Sequence, residues 1–118
     1  MQKDYLIRIV SVIALFGLLA TPAATHAMYV PILTYHHIAT HTPHNPYFVS
    51  PTIFEQQMAW LKKNNFHVVT YEQFYNAMTR SATLPSKPVV LTFDDGYADQ
   101  FIHALPILRA YGYSGMFF

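Results

Sequence analysis

Apolar and polar positions change rhythm several times along this chain, and each change marks an element. From Tyr29 to Tyr35 the residues read as a strand, with Pro31 acceptable near its start, running into His36-His37. His41-Thr42-Pro43-His44-Asn45-Pro46 is a polar, proline-rich loop expected on the surface. Thr52-Ile53-Phe54-Glu55 has capping-box spacing, which predicts a helix starting there. Phe54, Met58 and Leu61 then recur at i, i+4 and i+7, and Lys62-Lys63 fall at the negative end of the helix dipole before Asn64-Asn65 closes it. Phe66 to Val69 is a short strand. Thr70 to Gln73 repeats the capping pattern ahead of a second helix with Phe74, Ala77 and Met78 inward. Ser81 to Pro88 connects it to Val89–Phe93, a run without alternation, as in a strand covered on both faces. Phe101, Leu105 and Leu108 have helical spacing, which Pro106 must kink or restart. Gly112 ends that helix, and Ser114 to Phe118 begins a fourth strand.

Strands alternating with helices predict an α/β architecture, the opening half of a parallel sheet or barrel. A parallel barrel needs on the order of 200 residues, so a chain of 118 cannot close one, and its apolar last strand is left without a covering helix. The expectation is a truncated first half of such a fold. Met1 to Arg8 is polar with Lys3 and Arg8, Ile9 to Ala20 is almost wholly apolar, and Thr25-His26-Ala27 offers small residues at a cleavage site. Residues 1–27 are therefore expected to be a secretory signal peptide, too short in its apolar run for a stable membrane span, leaving 28–118 as the exported domain.

Within 28–118, Lys62, Lys63, Arg80, Lys87 and Arg109 balance Glu55, Glu72, Asp94, Asp95 and Asp99, which gives no basic footprint for nucleic acid. There is no cysteine, so packing alone must hold the fold. The nine tyrosines and nine phenylalanines are expected mainly in the core.

The chemistry concentrates where the third strand ends, at Asp94-Asp95-Gly96. In α/β folds, sites lie at the carboxyl ends of strands, where His36-His37 also falls. Two adjacent carboxylates repel unless a cation lies between them. With a divalent metal, one can ligate it while the other takes a proton from water. The same three residues are also a common turn.

Thr92-Phe93-Asp94-Asp95-Gly96-Tyr97 resembles the first motif of the polysaccharide deacetylases of carbohydrate esterase family 4, the NodB-homology domain. Pro31-Ile32-Leu33-Thr34-Tyr35-His36-His37-Ile38 resembles the opening strand of that family, and Leu105-Pro106-Ile107-Leu108, Tyr111-Gly112 and Met116-Phe117-Phe118 follow in its order. The Tyr-His-His-Ile form is most similar to exported deacetylases of poly-N-acetylglucosamine. The resemblance implies a distorted (β/α) barrel, Asp94 as general base, Asp95 as ligand of a divalent metal (zinc, or cobalt or nickel), and an N-acetylated polysaccharide as substrate. It also implies a His-x-x-x-His metal motif on a later strand and a catalytic acid histidine further on, neither of which this sequence contains. His36, His37 and Tyr97 are the candidate substrate contacts, with one histidine expected to pack beneath the sheet while the other lines the groove. Three readings follow: an exported N-deacetylase part that is inactive alone, a non-catalytic carbohydrate-binding remnant, and a chain that does not fold.

Overall fold

The computed structural model describes residues 29–40 and 45–118. The expected signal peptide and the His41–His44 part of the loop lie outside the described residues. Ten elements follow one another: β1 (Ile32–Tyr35), β2 (His37–Ile38), β3 (Phe48–Val49), α1 (Pro51–Lys63), β4 (His67–Val68), α2 (Tyr71–Arg80), β5 (Pro88–Phe93), a π-helical turn (Gln100–Ala104), α3 (Leu105–Tyr111) and β6 (Met116–Phe117).

β5 is the spine of the main sheet. Its neighbours are all parallel: β1 over Ile32↔Val90 to Tyr35↔Phe93, β4 over His67↔Pro88 and Val68↔Val89, and β6 over Thr92↔Met116 and Phe93↔Phe117. β4 and β6 share one edge of β5: the carbonyls of Lys87, just before the strand, and of Val89 accept from His67 and Val69, and that of Phe93 accepts from Phe118. β2 and β3 form a separate parallel pair, His37↔Phe48 and Ile38↔Val49, which the hydrophobic pattern did not reveal. Two-residue strands leave no period to read.

Side chains alternate across a strand, so Val89, Leu91 and Phe93 face one side together with Tyr35 of β1. There they pack with Phe54, Met58 and Leu61 of α1 and with Ala104 and Leu108 of the last helical segment. Each large apolar side chain buried in this way contributes about 1.5–3 kcal/mol. Phe54 meets Tyr35 and Phe93 edge-on, with ring centroids 4.9 and 5.8 Å apart. Phe117 stacks on Phe93 at 4.6 Å. The opposite side of the same two strands carries Thr34 and Thr92, whose hydroxyls bond at 2.9 Å.

Three sequence expectations need correction. Helix α1 starts earlier than the Thr52–Glu55 box: Ser50 is the cap, its side chain accepting from Ile53 N at 3.2 Å, and Pro51 occupies the first turn. Proline is preorganised there and has no N–H to leave unpaired, so Ser-Pro outcompetes the later threonine. The second box is as expected, with Thr70 and Gln73 bonded reciprocally at 3.2 and 2.9 Å. Met78 is exposed, and of the inward face expected for α2 only Ala77 is buried.

Phe101 is exposed as well, and Gln100, Ala104 and Leu108 face the core in its place. The cause is Pro106, which can give no N–H to the preceding turn and whose ring presses on it. The helix accommodates it by widening, with Leu105 N reaching back five residues to Gln100 O. That extra residue rotates the buried face away from Phe101. Gly112 ends α3 in the left-handed conformation, φ 67°, as expected.

Candidate active site

Because His36 follows Thr34 and Asp94 follows Thr92, both residues leave their strands on the side opposite the aromatic core. Beyond them the backbone turns sharply. Asp95 and Gly96 both adopt left-handed conformations, φ 71° and 61°. A glycine does so freely, whereas an aspartate carries a local cost of about 1–2 kcal/mol. Strain stored at a loop beside a cleft is common at sites of chemistry.

His36, His37, Asn45, Tyr47, Asp95 and Tyr97 line a cleft of about 340 Å³. The structure therefore brings together four of the five residues singled out in the sequence. Asp94 lies half-buried at the strand end behind them. The expectation that one histidine packs beneath the sheet is not met, since both line the cleft. They are nonetheless held differently. His36 rests on Tyr47 with ring centroids 4.9 Å apart, and its Nε2 stands 3.9 Å from Asp95 Oδ2. His37 is clamped between Phe48, at 4.1 Å, and Tyr97, at 3.6 Å, while its Nδ1 lies 2.7 Å from Asp99 Oδ2. The second oxygen of Asp99 accepts the backbone N–H of Ile38 at 3.1 Å.

Sequence reasoning counted Asp99 only as a charge and passed over Gln100. Gln100 is 2% exposed, and its Nε2 donates to His36 O at 2.7 Å and to Asp94 O at 2.6 Å. Neither role has a linear signature, because partners on the β1–β2 bend lie some sixty residues away. On the core side of β1, burial pushes the Tyr35 phenol up to about 12, and its hydroxyl donates to Gln57 Oε1 at 2.8 Å.

Chemically, Asp99 fixes the His37 tautomer: a neutral ring donates its Nδ1–H to the carboxylate, which leaves Nε2 as an unprotonated acceptor. The donor set does not by itself fit a catalytic metal. No group of three His, Asp or Glu side chains suited to a metal occurs among the described residues, and His36 with Asp95 supplies two donors where catalytic zinc takes three.

Residues 81–118 match the family model described as polysaccharide deacetylase. The solved de-N-acetylase from Aggregatibacter actinomycetemcomitans superposes with a TM-score of 0.67 at 35% identity over 75% of this chain. The chain carries part of a polysaccharide deacetylase domain. The fold is accordingly a partial α/β fold of the NodB type. Among relatives, the polysaccharide deacetylase YxkH of Bacillus subtilis (strain 168) is 35% identical over 89 residues, 75% of this chain. The poly-beta-1,6-N-acetyl-D-glucosamine N-deacetylase of Escherichia coli (strain K12) is 40% identical over 63 residues, 53% of this chain and 9% of that enzyme. This chain spans 31% of YxkH and 36% of the solved de-N-acetylase.

Proposed function

We propose that this chain carries the base-bearing part of an N-deacetylase site for an exported amino-sugar polysaccharide of the poly-N-acetylglucosamine kind. The observation that carries the reading is the meeting of Asp95 with His36-His37 in one cleft at neighbouring ends of β5 and β1, with Asp94 half-buried at the same strand end. In the proposed reaction, water adds to the acetyl carbonyl while Asp94 takes its proton, and the carbon–nitrogen bond then breaks. The departing sugar amine takes up the proton that Asp94 removed from water, acetate is the other product, and His36 and His37 contact the substrate. Tyr97 and Tyr47 offer faces against which a sugar ring can lie. Asp95 and His36 are two donors toward the divalent cation that the family resemblance implies, its remaining ligands lying outside the described residues. Among those residues, no helix is long and apolar enough to cross a membrane.

The test replaces the matching part of the A. actinomycetemcomitans de-N-acetylase with residues 29–118 of this chain. The chimera is expected to release acetate from β-1,6-linked N-acetylglucosamine oligomers, to lose that activity with Asp94→Asn, and to lose about tenfold or more with His37→Ala as a substrate contact is lost. A soluble chimera with native circular dichroism and no acetate release would overturn the reading. The unmodified chain with added zinc or cobalt is expected to release none. A second reading, a non-catalytic carbohydrate-binding module, draws on the exposed Tyr47 and Tyr97 beside an incomplete donor set. It predicts oligomer binding that survives Asp94→Asn.

A further inference from the structure

The β1–β5 ladder breaks at the site. Along the parallel register, Val90 N donates to Pro31 O and Asp94 N to Tyr35 O, so the next rung would run from His37 N to Asp94 O. That rung is missing, because His37 N donates instead to Tyr47 O, at 3.0 Å, as the chain peels off into β2. Asp94 O would be left without a donor, and a carbonyl in that position rarely goes unpaired in a native fold. The Nε2 of Gln100 fills the position at 2.6 Å, and its second hydrogen holds His36 O at 2.7 Å.

We propose that Gln100 is a positioning residue that stands in for the lost rung and fixes how far β1 and β5 diverge, and with that the spacing between Asp94 and the His36-His37 pair. Three features support the assignment beyond the two bonds. The side chain is 2% exposed, so no water competes for its hydrogens. Its backbone is locked in a helix start, with its N–H on Tyr97 O at 3.1 Å and its carbonyl taking Leu105 N. Its neighbour Asp99 grips the far side of the same bend through Ile38 N and His37. Asp99 and Gln100 together therefore hold both strand ends from one helical turn. Glutamine suits this role because one carboxamide nitrogen carries two hydrogens at a fixed angle, enough to reach two carbonyls at once. The functional consequence rests on the deacetylase reading, while the geometric one does not.

Amide hydrogen exchange on the ¹⁵N-labelled full chain separates the two. Gln100→Met keeps the length of the side chain and removes both donors. Exchange at the Asp94 and His37 amides is expected to speed up about tenfold, while Val69 and Phe74, bonded on the far edge of the sheet and in α2, keep their rates. Thr92→Val removes a hydrogen bond across the same two strands and is expected to leave the Asp94 and His37 amides unchanged. In the active chimera, Gln100→Met is expected to lower kcat at least tenfold with KM within twofold of its parent. Should Gln100→Met not fold, Gln100→Glu has the same size, lacks the donors when ionised, and carries the same expectation. Uniform acceleration at all amides, or none at Asp94 and His37, would overturn the proposal. Local acceleration alongside an inactive chimera would uphold the positioning role and sink the deacetylase reading instead.

Discussion

Tyr35 lies in the core, 7% exposed, and its raised phenol offers a sign-reversing test of that core. Burial opposes the phenolate, so the folded chain holds its proton up to about pH 12 while the unfolded chain releases it near the ordinary 10.0. Between those values the unfolded state has fewer bound protons, so stability falls as pH rises. It is complete below pH 10 and lost as pH rises through 12. Two units at 1.36 kcal/mol each give a limiting loss of about 2.7 kcal/mol. Tyr35→Phe cannot ionise and escapes that loss, but it forfeits the bond to Gln57, costing about 1 kcal/mol at neutral pH. The variant should therefore be less stable than the parent at pH 8 and more stable above about pH 11, where the two effects cross. Urea midpoints of the two proteins at matched pH values measure the difference, and other tyrosines cancel from it. Tyr113, raised by burial and then by Tyr111, is common to both. Parallel curves that never cross would refute the claim that the Tyr35 hydroxyl is desolvated.

Gly115→Ala should destabilise the chain by about 1–3 kcal/mol in a thermal melt, because the added Cβ would stand 2.7 Å from the buried Phe93 ring and 3.1 Å from Phe117. Ser50→Ala should cost about 0.5–2 kcal/mol and Thr52→Ala less than about 0.5, and the reverse order in urea unfolding would move the start of α1. Asp95→Gly should be more stable than Asp95→Ala by about 1 kcal/mol, since only glycine adopts φ 71° without penalty, and equal stabilities would deny the left-handed turn.

Long periodic stretches were legible in the sequence. The stripe Phe54, Met58, Leu61, the apolar run at β5, the Thr70 cap and the Gly112 stop all stand where their local chemistry put them. So did the proximity of His36, His37, Asp95 and Tyr97, because strand ends converge in any parallel sheet. What escaped depends on contacts made across the chain. The face of the last helix is set by how the backbone relieves Pro106, not by the spacing of Phe101, Leu105 and Leu108. β2 and β3 exist only as each other's partners. Asp99 and Gln100 look like ordinary first-turn polar residues until the topology lays the β1–β2 bend against them.

Among the described residues β5 is the one partner of β1, β4 and β6, which has a consequence in time as well as in space. A ribosome writes β1 and β4 long before Pro88 to Phe93 emerges, so both strands wait with unsatisfied edges, and β1 waits for a partner 58 positions away. Until that six-residue strand arrives, the main sheet has no pairing to make. The main sheet then assembles only after β5, whereas α1, α2 and the β2–β3 pair rest on local contacts and need not wait for it. Such a chain remains open to whatever must handle it before it folds.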